Sequence, residues 1–212
     1  MERPTDKLIR IGGGALSAAD PVLPSGLPDL AGSLAAELVE FLQKKNGFYA
    51  FEAALHVLPA QAGGPDMGLS DWNSEQLWIH EYGGLAKGLV FFAEDIFGCQ
   101  FCMKADGIYQ FDPETAATER LGSNLDDWAD AILHNYSYLT GYPLAHEWQE
   151  LNGVIAPGFR LVPKQPFFAG GEFSVQNLAP LSAVAAMRMR GRIAVQIKDL
   201  PDGAKIELKI VD

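Results

Sequence analysis

The sequence predicts an α+β protein, with helices packed around a mostly antiparallel central sheet and a C-terminal α/β extension. Three observations carry that expectation. Leu34, Leu38, Phe41 and Leu42 form an apolar stripe at helical spacing, opposite Glu37, Glu40 and Lys44. From Gly88 the period changes to two, through "LVFFAED", Ile96–Met103 and Gly107–Asp112. Helical spacing then returns after Ser123, where Leu125, Trp128, Ile132 and Tyr136 share a face that can cover the sheet.

The elements follow in order. Residues 1–26 are rich in Gly, Ala, Ser and Pro and read as an irregular leader; Gly12-Gly13-Gly14 leads into prolines with no Lys-Ser/Thr behind it, so it lacks the pattern of a phosphate loop. The first helix ends with Lys44 and Lys45 at the negative end of its dipole and Asn46-Gly47 as a left-handed stop. Phe48–Pro59 is a second apolar segment packed nearby. Ser70-Asp71-Trp72-Asn73 offers caps for a short helix through "SEQLWIHEY". Asp106-Gly107 is a strong hairpin turn, and Thr118–Leu121 is a plausible next strand. Ser123 is expected to cap the helix behind it, with Asp126 and Asp127 in the first turn. Beyond residue 150 come short strands at Phe159–Val162, Phe167–Ala169 and Phe173–Val175, a largely helical stretch Leu178–Lys198, and a last strand through Ile206, Leu208 and Ile210.

The chain has 212 residues, 48% apolar and 20% charged, which suits one large domain or a domain with an appended piece. The N-terminus lacks an apolar signal core, and no apolar run approaches the roughly 20 residues of a membrane span. Two cysteines three apart make no disulfide framework, so the expected compartment is the cytoplasm. Of the net charge of −11, residues 1–150 contribute −14 and residues 151–212 contribute +3. A body this acidic repels nucleic acid and attracts basic protein surfaces.

Candidate chemistry is thin. Cys99 and Cys102 form a C-x-x-C inside a β-rich run, where residues three apart lie roughly 10 Å from each other at about 3.3 Å per residue. A disulfide needs Cα atoms within about 7 Å, and a zinc site needs a second ligand pair. The pair therefore reads as strand residues on opposite faces. His56, His80, His134 and His146 show no metal-ligand spacing. Glu94-Asp95 and Asp112 with Glu114 could form an acid/base pair or a hard-cation site, yet Asp and Glu also favour turns and caps. Arg188-Met-Arg-Gly-Arg192 could meet phosphate, but lacks interleaved aromatics and reads better as a helix face or an internal docking surface. No catalytic residue, metal or cofactor is assigned.

The order of these features resembles the SUKH superfamily, the Smi/Knr-type proteins. The resemblance covers roughly Leu27–Tyr138: a helix ending at Asn46-Gly47, a middle helix around Trp78, a strand leading to Asp95 and Gly98, Ile108-Tyr-x-Phe-Asp112, and a helix opened by Ser123 and acidic residues. It implies an α+β domain over residues 27–150 without enzymatic activity, and a bacterial immunity protein that binds and neutralises a toxin, often a nuclease. The extension, residues 151–212, lies outside the resemblance. A regulatory or scaffold protein with an endogenous partner, and a small-ligand-binding domain, are the competing readings. The partner expected is a protein, neither nucleic acid nor membrane, and homodimerisation stays open. Contact is expected at the acidic turns, Glu94, Asp95, Asp106, Asp112 and Glu114, with Trp72 or Tyr82 as aromatic anchors.

Overall fold

The structure is a computed structural model that describes residues 2–201, 203 and 204. It has the expected α+β class. The strand expected through Ile206, Leu208 and Ile210 lies outside the described residues. Among those residues, no helix is long and apolar enough to cross a membrane.

The leader differs from the expectation. Pro4–Ile11 forms helix α1, with Pro at its first position, Asp6 in its first turn and Arg10 in its last, a charge order that suits the dipole. Leu8 is fully buried, and the Thr5 hydroxyl donates to Asp126 Oδ1 at 2.7 Å. Eight residues are too few for a stripe to stand out. Helices α2 (Leu27–Ala31) and α3 (Leu34–Lys44) follow, and α3 buries Leu34, Leu38, Phe41 and Leu42 as the spacing predicts.

The segment after α3 is a β-hairpin, β1 (Phe48–Ala50) and β2 (Leu55–Val57). Its turn places three consecutive non-glycine residues at positive φ: Phe51 at 52°, Glu52 at 52° and Ala53 at 69°. Such backbone persists only when its surroundings hold it. Here Phe51 stacks on Tyr136 at 5.2 Å, and Glu52 is gripped by Tyr142, His146 and Gln149.

Helix α4 (Leu69–Trp72) takes up the residues expected as caps, and a 3-10 turn covers Ile79–Tyr82. Strands β3 (Val90–Asp95), β4 (Gln100–Lys104), β5 (Gly107–Phe111) and β6 (Thr118–Gly122) complete a six-stranded antiparallel meander in which each strand pairs with the next. Both faces of this sheet are covered. Phe92 and Phe101 pack on Trp128 of α5 (Leu125–His134), while Phe91 and Phe111 pack on the other side with Trp78 and Tyr82. Burial on both faces is why β3 is an almost continuous apolar run. The cap of α5 is Asn124, whose side chain accepts the Asp127 N–H; Ser123 instead donates its backbone N–H to the Asp127 carboxylate.

Helices α6 (Tyr136–Thr140) and α7 (Tyr142–Asn152) follow, so the boundary expected at 150/151 falls inside a helix. The extension contributes β7 (Phe159–Pro163) and β8 (Leu178–Ser182), a separate antiparallel pair, then α8 (Ala183–Ile197). The residues expected as strands at Phe167–Ala169 form a 3-10 turn, and Val175–Asn177 forms another. The helix expected from Leu178 starts only at Ala183. Pro180 suits an extended edge strand, and the Ser182 hydroxyl accepts the Ala185 N–H to open α8. Ala183, Met187 and Ala194 join the main core, while Leu161, Val175 and Leu178 build a second one with Ile96, Phe97, Ala145 and Trp148.

The strained hairpin sets an expectation. Ala53→Gly removes a left-handed alanine and should stabilise the chain by about 1 kcal/mol, read as a raised denaturation midpoint with an unchanged slope. A lowered midpoint would mean that the turn is not strained there.

Candidate functional site

Five of the seven residues expected at a partner surface are buried. Glu94 and Asp95 are each 2% exposed, Glu114 5%, Trp72 3% and Tyr82 0%. The correction has one physical reason. These residues sit at the end of a strand, or on elements, that the helices and the extension cover from both sides. Trp72 donates its indole N–H to Gln100 Oε1 at 2.8 Å, and the Tyr82 hydroxyl donates to the Pro113 carbonyl at 2.9 Å. Asp106 is exposed at its hairpin tip and accepts the Tyr109 hydroxyl. Asp112 is half-buried and caps the β5–β6 turn, accepting the Glu114 N–H and the Thr115 hydroxyl.

Glu94 is the centre of a buried charge cluster. Arg160, from β7, brings Nη2 to 2.6 Å from Glu94 Oε1, and His56, its cross-strand neighbour on β2, brings Nδ1 to 3.0 Å. Gln100 donates to Glu94 Oε2. Burial alone would push the Glu94 carboxyl up, but Arg160 and His56 outweigh it and hold it down at about 2. Burial pushes the His56 imidazole down, so it stays neutral and donates Nδ1–H to the carboxylate. Tyr49 stacks on His56 at 4.3 Å and donates its hydroxyl to Asp66 at 2.5 Å. Both shifts run the same way with pH. Glu94 contributes stability above its unfolded value that is lost as pH falls from 4.5 towards 2, and neutral His56 loses it below 6.5.

Asp95 does different work. Its Oδ1 accepts the backbone N–H groups of Phe97 and Cys99, at 2.9 and 2.8 Å, and so closes the β3–β4 turn. Gly98 holds φ at 81°, and a Cβ there would come within 2.6 Å of Arg190 Nη2. Burial pushes the Asp95 carboxyl up to about 7. Cys99 stands in this turn, one residue before β4, and Cys102 is buried within β4. Burial raises both thiols, Cys102 to about 12, so neither is an activated thiolate. Among the described residues no group of three or more His, Cys, Asp or Glu could hold a metal ion.

The three arginines of the Arg188–Arg192 run each bond the body of the chain. Arg188 donates to the Leu77 carbonyl, Arg192 pairs with Glu81 at 2.6 Å, and Arg190 is 3% exposed and donates Nη1 to the Phe97 carbonyl at 2.6 Å. Arg190 lies at the base of a half-open cleft of about 580 Å³. Asp95, Asp112, Glu114 and Glu119 line it, together with Phe97, Phe167, Phe173 and Tyr138. Burial raises the Glu114 carboxyl, which accepts the Phe168 N–H at 3.1 Å. A cavity of about 600 Å³ on another face runs from Tyr49 and Glu52 to His146 and Arg160. Of the cleft, sequence reasoning had named three carboxylates. It read Arg190 only as part of a helix face or internal docking surface, and it missed the aromatic walls, for which "QPFFAGGEF", aromatic residues among turn formers, was the available signal.

Two variants separate these roles. Arg160→Met leaves a buried carboxylate without its cation and should destabilise the chain by about 3–5 kcal/mol, and adding Glu94→Gln should restore most of that loss in chemical denaturation. Asp95→Asn keeps an acceptor for the turn and removes the ionisation. Since the native carboxyl binds its proton up to about pH 7, the wild type loses stability relative to the variant as pH rises from 3.8 through 7. The variant's advantage should reach up to about 4 kcal/mol at pH 8 and vanish below pH 4. A pH-independent difference would show that Asp95 ionises freely in the native state.

No family model and no curated protein matches the chain. Among solved structures, the chain is similar to Atu4351 from Agrobacterium tumefaciens, with a TM-score of 0.57 at 14% identity over 88% of each chain. That likeness shows a shared fold.

Proposed function

We propose that the chain is a non-enzymatic protein-binding domain of the immunity kind, which binds and neutralises a basic, nucleic-acid-cutting toxin in the cytoplasm. One observation carries the reading: the described residues expose more carboxylates than cations, and two arginines are turned fully inwards. Asp20, Asp29, Asp71, Glu75, Glu119 and Glu147 are exposed. Arg160 and Arg190 are buried, Arg188 bonds a backbone carbonyl, and Arg3, Arg10, Lys44 and Arg192 each pair with a carboxylate. The surface field is therefore negative and suits fast association with a basic partner. The carboxylates that looked chemical support the same view, because Glu94 and Asp95 are tied into the ion cluster and the turn. A small-ligand-binding domain is the second reading, favoured by the cleft and its convergent carboxylates.

Co-expression with a toxin-sized neighbouring gene product should rescue growth, and association of the purified pair should slow at least about tenfold between roughly 0.1 and 1 M salt, as the Debye length falls from about 10 to 3 Å. Failure of every neighbouring toxin to be rescued counts against immunity. An on-rate indifferent to salt counts against the charge argument.

A further inference from the structure

We propose that the cleft beside β5 and β6 is the socket for an arginine or lysine side chain presented on an extended segment of the protein partner, an inference that rests on the protein-binding reading above. Two aromatic rings stand open at this cleft. Tyr138 is 72% exposed and Phe173 70%, and Phe173 stacks on Phe167 at 3.9 Å. Exposed rings beside a concave surface are unpartnered contact area, and ring faces attract guanidinium and ammonium groups.

The charge of the lining sets the sign of the occupant. Arg190 is the one cation among the lining residues, against the carboxyls of Asp95, Asp112, Glu114 and Glu119. Asp95 and Glu114 face Arg190 closely enough for its charge to act on both. Asp112, bonded into its own turn, and the exposed Glu119 add negative charge to the same lining. An anionic ligand would meet three or four carboxylates to reach one arginine. A long basic side chain instead meets apolar walls along its stem and carboxylates at its head.

The base of the cleft is closed. Arg190 donates Nη1 to the Phe97 carbonyl and Nε to the Ala186 carbonyl, but its buried Nη2 has no hydrogen-bond partner among the described residues. A buried donor without an acceptor is rare and costly. Nη2 is sealed against the Gly98 turn, so Arg190 is a fixed floor, and the rings and carboxylates are the surfaces an occupant can reach.

The test uses the full chain, isotope-labelled, titrated with capped Gly-Arg-Gly and Gly-Lys-Gly peptides, with Gly-Glu-Gly, Gly-norleucine-Gly and methylguanidine as controls. The basic peptides should shift the amides of Gln110, Thr118, Ser137 and Gly141, with a Kd on the order of 1 mM. They should bind at least about tenfold better than the acidic and neutral peptides, and Glu119→Gln and Tyr138→Ala should each weaken them about three- to tenfold. Both substituted residues are exposed, so unchanged spectra elsewhere report an intact fold. No shift at those amides, equal shifts with Gly-Glu-Gly, or binding indifferent to both variants overturns the socket. Methylguanidine binding as tightly as Gly-Arg-Gly overturns the part played by the rest of the partner segment. The measurement needs no toxin. Peptide binding without growth rescue would leave the socket standing and remove immunity. Rescue by the wild type and both variants, with no peptide shift, would do the reverse.

Discussion

The rest of the structure depends on the ion pair between Glu94 and Arg160, made at 2.6 Å with both side chains at most 2% exposed. A charge in such a place is tolerated only with its partner and its hydrogen bonds. Glu94 lies on β3, the middle of a sheet covered on both faces, and Arg160 lies on β7 in the extension. Residues 1–150 alone would therefore leave the Glu94 carboxylate with a neutral imidazole and an amide, and with no cation. The extension is part of the fold's electrostatics as well as of its core, where Met187 and Ala194 join the main cluster.

The same logic explains the uneven charge along the chain. The first 150 residues carry −14 and the remainder +3. In space that asymmetry becomes an internal match: Arg160 faces Glu94, Arg190 faces Asp95 and Glu114, and Arg192 pairs with Glu81. Three arginines of the extension are thus matched by acids of the body, two of them buried and Arg192 at the surface against the 3-10 turn. They do little to neutralise the outer surface, where the remaining carboxylates set the field.

How much of this was legible in the sequence follows from what each signal measures. Periodicity reports which side of an element is apolar, so α3, β3 to β6 and α5 could be read from their spacing. It does not report what covers the far side. For that reason Glu94 and Asp95, polar residues at the end of an apolar strand, looked like a surface although helices and the extension close over them. Three residues per strand are too few for a period, so the β1–β2 hairpin was invisible as a hairpin, and its three left-handed residues have no glycine to announce them. The aromatic wall of the cleft was hidden for the opposite reason: Phe167 and Phe173 resembled strand residues, and the glycines between them permit a tight 3-10 turn instead.

The Asp95-x-x-Gly98 spacing shows how a pattern that looks like chemistry can be a specification of shape. The carboxylate gathers two backbone N–H groups, and the glycine supplies the positive φ that the turn needs. The lack of a Cβ at Gly98 also leaves room for the Arg190 guanidinium, which a side chain there would strike. Arg190 in turn places a cation beneath the cleft and holds the Phe97 carbonyl. One acidic residue and one glycine in the central sheet thus determine where an arginine some 90 residues later can lie. Through that arginine they determine the shape and charge of the surface on the far side of the turn. The buried carboxylates build the cleft, and the exposed Glu119 is left to meet whatever enters it.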